Sequence, residues 1–127
     1  MNATEQARAA YASAYAPIRS NRSAEYQAFS DITSRLHAAS VAGNAGFPQL
    51  VAALHDNRTM WTLLASDVAD SGNSLTKTVR AQIFYLAEFT TSHSRKVLRG
   101  EAPVTALIDI NTAMMRGLIG QTAAGVV

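Results

Sequence analysis

The most constraining feature of this sequence is a repeat of apolar and small residues between positions 74 and 100. Its members follow one another at alternating spacings of four and three, which places their side chains on one face of an α-helix. They are Val79, Ile83, Leu86, Thr90, His93 and Val97. The repeat predicts one long helix with a packing seam, capped by Ser74 and ended by a left-handed Gly100.

This predicted helix also carries residues off its seam. Phe84 and Tyr85 project away from the repeat, so bulky apolar surface is expected on more than one side of the helix. A basic group of Arg95, Lys96 and Arg99 lies in the last turn, where positive charge complements the negative end of the helix dipole. A phosphate-binding patch is the alternative interpretation of the same three residues.

The chain before residue 47 predicts two helical segments. Residues 2–16 are alanine-rich with little large apolar surface, which favours a short, weakly held helix over 1–22 that Pro17 interrupts. A second helix is expected to begin near Ser23 and to end at the glycines of positions 43–46. Its apolar stripe again has helical spacing and consists of Phe29, Ile32, Leu36 and Ala39.

Two further amphipathic helices are predicted over residues 47–70 and from Pro103 onward, and each has an asparagine inside its apolar stripe. Because a buried amide needs hydrogen-bond partners, we expect Asn57 and Asn111 to pair across the core and fix the helix register. The short turn at 71–73 makes the helices on either side of it antiparallel neighbours. The small residues of 120–127 predict a flexible tail. The stripes comprise Phe47, Leu50, Leu54, Trp61, Ala65 and Val68 in one helix, and Val104, Leu107, Ile110, Met114 and Leu118 in the other.

No segment alternates with the period of a β-strand, so the sequence predicts an all-α, single-domain bundle of four to five helices over 1–127. It has no cysteine, no apolar run long enough for a membrane span and no signal-peptide order at its N-terminus, so we expect a cytoplasmic protein. The net charge of +2 is spread along the chain, so nucleic acid is not an expected partner.

Catalytic motifs are lacking, and neither an enzyme, a metal site nor a cofactor is expected. His93 lies on the seam, where a hydrogen-bonded core histidine is the favoured interpretation, and Asp67 with Asp70 favours a local polar network over an acid–base pair. What remains is a candidate surface for a partner helix, although aromatic and methionine residues at helical spacing are more often core. Its members are Phe84, Tyr85, Phe89, Met114 and Met115.

Residues 54–67 resemble the pattern of the flagellar biosynthesis regulator FlaF family, with Asn57, Arg58, Trp61 and Asp67 at matching positions. Further similarity follows in order at residues 26–29, 33–36, 80–83 and 107–118. The match includes Arg80, Asn111 and Gly117, and these family-pattern positions are expected to be mostly structural. Met60 departs from the leucine that the family often has, and Phe84-Tyr85 replaces smaller residues.

The resemblance implies a helical, cytoplasmic protein without enzymatic activity that assists flagellar filament assembly. It implies flagellin as the partner, a secretion-chaperone role, and a positive effect on flagellin synthesis that counteracts the repressor FlbT. Arg58 is expected to pair with Asp67 or Asp109. Two alternatives remain at this point: an RNA-level regulator that acts on flagellin message, and a structural subunit that dimerises through its aromatic patch.

Overall fold

The backbone of residues 2–125 is described by a computed structural model, and side chains are described at residues 2, 3 and 24–117. Within this part the chain forms α1 (Ala3–Ala42), α2 (Phe47–Ala69), α3 (Lys77–Leu98) and α4 (Thr105–Gly125), with a 3₁₀ turn (Gly43–Gly46) between α1 and α2. These residues contain no strand. The predicted all-α class is therefore confirmed.

The first helix is longer than the sequence predicts. α1 runs unbroken from Ala3 to Ala42, so the predicted interruption at Pro17 and the separate start near Ser23 are wrong. Proline removes one backbone donor, at a cost of about 3 kcal/mol in a helix interior. The alanine-rich residues before it and the amphipathic segment after it both favour helix, and α1 continues across the lost hydrogen bond. How weakly residues 1–22 are held stays a prediction, since side chains 4–22 lie outside the described residues.

The corner between α1 and α2 is built on a close approach of the two chain segments. Gly46 is buried there, and a Cβ atom at this position would lie 2.7 Å from the backbone oxygen of Ala39 and 2.8 Å from the Cβ of Ala42. Only glycine leaves room for the last turns of α1 to pack on the start of α2. Pro48 occupies the first turn of α2, as the sequence predicts.

The connection from α2 to α3 spans residues 70–76 and is held by side-chain hydrogen bonds. The Asp70 carboxylate accepts from the Gly72 amide at 3.0 Å, and the Asn73 side chain accepts from the Leu75 amide at 3.0 Å. These turns delay the helix start, so Ser74 is not the cap. The Thr76 hydroxyl fills that role by accepting from the amide of Val79 at 3.3 Å. At the other end, Gly100 has the predicted left-handed conformation, with φ of +72°.

The four helices alternate in direction around a shared core. One apolar cluster joins Leu36, Leu54, Val97 and Leu107, and a second joins Phe29, Trp61, Val68, Ile83 and Ala87. Each helix passes through both clusters, and successive helices pass through them in opposite order, which confirms that α2 and α3 are antiparallel. α1 packs on α2 and α4, α2 packs on α3, and α3 touches α4 only sparsely.

Burial along the helices follows most of the predicted stripes. On α3 the seam residues Ile83, Thr90 and Val97 are buried, while Phe84 and Tyr85 are 44% and 65% exposed. On α2 the stripe residues Leu54, Trp61 and Val68 are buried and Ala65 is half-buried, but Phe47 is 49% exposed and its assignment to the core face is wrong. Phe47 is the first residue of the helix and lies beyond the end of the core.

α4 extends through part of the segment that was predicted to be a tail. Its backbone is helical to Gly125, whereas residues 126–127 and the side chains from Leu118 onward lie outside the described part. Flexibility of 120–127 therefore stays a prediction. Among the described residues, no helix has both the length and the hydropathy that a membrane span requires.

Candidate functional site

Three polar side chains form a buried bridge between α2 and α4. The Asn111 Nδ2 group donates to Oδ1 of Asn57 at 2.8 Å, and the indole Nε1 of Trp61 donates to Oδ1 of Asn111 at 3.0 Å. All three residues are fully buried. Asn57 lies between Leu54 and Trp61 in sequence, so the bridge separates the two apolar clusters. The predicted pairing of the two asparagines is confirmed.

The orientation of these amides follows from the tryptophan. An indole N–H can only donate, so the Asn111 oxygen must face Trp61 and its nitrogen must face Asn57. Asn57 then accepts through its oxygen, and its own Nδ2 is buried without a partner in the part of the chain that the structure describes. Asn111 therefore forms both hydrogen bonds of the bridge, whereas Asn57 forms only one of them.

Arg80 forms hydrogen bonds with the backbone at the C-terminal end of α2. Its Nε atom donates to the backbone oxygen of Val68, in the last turn of α2, at 2.6 Å, and its Nη2 atom donates to the backbone oxygen of Asp70, just after the helix, at 2.9 Å. Arg58, in contrast, pairs with neither Asp67 nor Asp109, and its buried Nε atom has no hydrogen-bond partner among the described residues. The predicted ion pair is wrong: Arg58 is half-buried on α2, and neither Asp67 nor Asp109 lies within ion-pair distance of it.

The residues considered for chemistry have structural partners. Nε2 of His93 donates to the backbone oxygen of Pro103 at 2.8 Å, and the ring stacks on Phe89 with centroids 5.2 Å apart. The predicted hydrogen bond of this histidine is confirmed, but its place in the core is not, because His93 is only half-buried. Asp70 takes part in the loop network described above, which Asp67 joins through its backbone oxygen. Across residues with described side chains, no three potential metal ligands lie together.

A groove opens where α3 and α4 separate. It has a cavity volume of about 300 Å³, and Glu25 and Asp67 stand among its lining residues. We call it the α3–α4 groove. Its apolar lining combines the core of α1 and α2 with one edge of α3 and of α4. That lining includes Phe29, Leu64, Val68, Leu75, Val79, Ile83, Leu86, Ala113, Met114 and Gly117.

A second depression, the outer cleft, lies on the opposite edge of α3. It has a volume of about 480 Å³ and is the more open of the two. Phe84 and Tyr85 line it together with Val68, Ala69, Lys77, Arg80, Ala81 and Glu88. No residue of α4 is among these.

The structure therefore divides the five residues predicted to bind a partner. Phe84 and Tyr85 lie in the outer cleft, Met114 lines the α3–α4 groove, Met115 is half-buried against the second apolar cluster, and Phe89 stacks on His93. Their binding role stays a prediction. Sequence patterns missed Leu64, Leu75 and Ala113 as lining residues. The sequence indicates Gly117 only as a family-pattern position.

Comparison with known proteins agrees with the resemblance in the sequence. Residues 7–118 match the family model described as flagellar protein FlaF, which includes both the Asn57 and the Asn111 helices. No curated protein and no solved structure matches the chain. Because the family match covers nearly the whole chain, this is a flagellar protein of the FlaF family.

Proposed function

We propose that this chain binds flagellin by seating an amphipathic helix of it in the α3–α4 groove. Through that complex the chain acts in the cytoplasm as a flagellin secretion chaperone. It also acts as a positive factor for flagellin synthesis and filament assembly, counteracting FlbT.

The observation that carries the proposal is the gap between α3 and α4. The other neighbouring helices of the bundle close on one another, whereas these two leave apolar side chains of all four helices lining one opening. An apolar groove between helices is a recurring site for the apolar face of an amphipathic helix. Met114 lies in its wall, and methionine adapts its shape to different side chains.

RNA binding has no comparable support. Arg95 and Lys96 are exposed at the end of α3, but Arg99 forms an ion pair with Glu101 at 3.3 Å, which reduces the positive charge of the group. A basic helix end of this kind is accounted for by the dipole of α3. Direct action on flagellin message is therefore the alternative that the binding test must distinguish.

The test is titration of purified flagellin with the full chain and with Met114→Ala and Phe84→Ala variants. Met114→Ala is expected to weaken binding about tenfold, equivalent to roughly 1.4 kcal/mol, because it removes groove contacts. Phe84→Ala is the matched control in the outer cleft and should change the affinity little. Urea unfolding of each variant checks that the protein measured is folded.

Failure of the parent chain to form a complex with flagellin would overturn the proposal. If flagellin message bound instead, with an affinity that falls steeply as salt rises, the RNA-level function would replace it. Loss of flagellin binding in Phe84→Ala with normal binding in Met114→Ala would move the interface to the outer cleft.

A further inference from the structure

Gly117 is a glycine that the fold itself does not require. It lies inside α4, and its φ angle is not positive. A Cβ atom built on it would meet no atom of the described residues within 4 Å. Glycine in a helix interior destabilises the helix relative to alanine, so the isolated chain gains nothing from having it there.

Gly46 differs from Gly117 in what an added Cβ atom would meet. At Gly46 a Cβ would meet backbone at 2.7 Å, so packing within the chain accounts for that glycine. Gly117 is exposed and is itself a lining residue of the α3–α4 groove, with no described atom close to the position of a Cβ. Glycine at such a place allows another backbone to approach closely.

Asp67 supplies a charge at the same groove. Its side chain is exposed, and the carboxylate forms no hydrogen bond or ion pair with the part of the chain whose side chains are described. It lines both the α3–α4 groove and an adjoining depression between α1 and α2. A carboxylate beside an apolar groove complements a partner that carries a basic side chain next to its apolar stripe.

We infer that Gly117 is the point at which the backbone of the bound helix crosses α4, and that Asp67 pairs with a basic side chain of that helix. The inference rests on the proposed function and specifies its partner. The bound flagellin segment is an amphipathic helix with a small residue at the crossing and lysine or arginine beside its apolar face.

The size of the groove supports this arrangement. About 300 Å³ is at the lower limit of the roughly 300–1,000 Å³ typical of small-ligand pockets, which is too little for a helix backbone with its side chains. Large apolar side chains of the partner therefore enter the cavity while its backbone stays above α4. A small partner residue over Gly117 permits the closest approach of the two helices.

The decisive variant is Gly117→Leu, tested by titration with purified flagellin. The Cβ atom of a leucine there meets no described atom within 4 Å, and leucine favours helix over glycine, so the midpoint of urea unfolding should be unchanged or higher. Affinity for flagellin should fall about thirtyfold or more, because the side chain blocks the crossing. Arg116→Leu is the matched control: it adds the same side chain one residue earlier, outside the groove lining, and should bind normally.

The charge is tested with Asp67→Asn. Affinity for flagellin should fall about threefold, the size expected for an exposed ion pair, and its dependence on salt should become weaker. Asp109→Asn is the control, since Asp109 is an exposed carboxylate on α4 that does not line the groove. It should leave both the affinity and the salt dependence unchanged.

These experiments distinguish failure of the proposed function from failure of the proposed crossing at Gly117. A parent chain that does not bind flagellin refutes the proposed function itself. A parent that binds, with Gly117→Leu binding equally well, refutes only the crossing. If Gly117→Leu abolished concentration-dependent self-association in the ultracentrifuge but not flagellin binding, the groove would hold a second copy of the chain and the inference would be wrong.

Discussion

Asn111→Ala is expected to destabilise the fold by about 3–5 kcal/mol, because each buried polar group left without a partner costs roughly 1–3 kcal/mol. The substitution orphans two of them, the indole N–H of Trp61 and the side-chain oxygen of Asn57. It also leaves a cavity between the two apolar clusters. For a domain of this size the loss is a large fraction of the total stability.

Urea unfolding followed by tryptophan fluorescence measures this effect, and Asn57→Ala supplies the internal comparison. Asn57→Ala orphans only the Asn111 nitrogen and removes a buried nitrogen that already lacks a partner. Its cost should be smaller, about 1–3 kcal/mol. Equal costs for the two variants, or a cost for Asn111→Ala near zero, would contradict the described hydrogen-bond directions.

Gly46→Val should destabilise the protein by about 3 kcal/mol, at the upper end of the range for overpacked sites. Even the first added carbon would lie 2.7 Å from the backbone oxygen of Ala39. Because that obstacle is backbone and not a flexible side chain, α1 and α2 must move apart at their corner. The first apolar cluster, which includes Leu36 and Leu54, would loosen with them.

Gly72→Val is the matched control for this substitution. Gly72 is exposed in the loop between α2 and α3, and its nearest neighbour would be the Asp70 carboxylate at 3.6 Å, an ordinary contact. Its unfolding free energy should change by no more than about 0.5 kcal/mol. A Gly46→Val protein as stable as the parent would show that the corner is not closely packed.

Much of the fold could be predicted from helical periodicity alone. Spacings of three and four identify which face of a helix is buried, and α3 buries Ile83, Thr90 and Val97 accordingly. The same patterns singled out Asn57 and Asn111, because an amide inside an apolar stripe has few ways to satisfy its hydrogen bonds. Local periodicity and the rule of polar satisfaction together predict the contact between α2 and α4.

The helix boundaries could not be predicted from single residues, because the preference of one residue competes with the preferences of the segments around it. Pro17 has a strong local preference, but the segments on both sides of it favour helix and continue across it. Ser74 has a side chain suited to a helix cap, but the turns stabilised by the Asp70 and Asn73 side chains extend past it. The residue that caps α3 is therefore Thr76. In each of these regions local propensity correctly predicts a helix but places a helix boundary at the wrong residue.

The candidate site was harder to predict than the core. A groove exists where two helices fail to meet, and the distance between α3 and α4 is set by packing over the whole bundle. Nothing in the local sequence distinguishes Met114, which lines the groove, from Met115, which packs beside it on the core. Likewise, Phe84 and Tyr85 have the composition of a binding surface but lie on the other edge of α3.

Amide hydrogen exchange of the full chain, with and without saturating flagellin, examines whether the α3–α4 groove is the binding surface. Peptides from α4 that cover residues 107–117 decide the matter, because α4 contributes to the groove and not to the outer cleft. Exchange there and over residues 75–86 is predicted to slow in the complex, while residues 41–51 keep their free rates. Unchanged exchange in α4 when flagellin is bound would contradict the proposal.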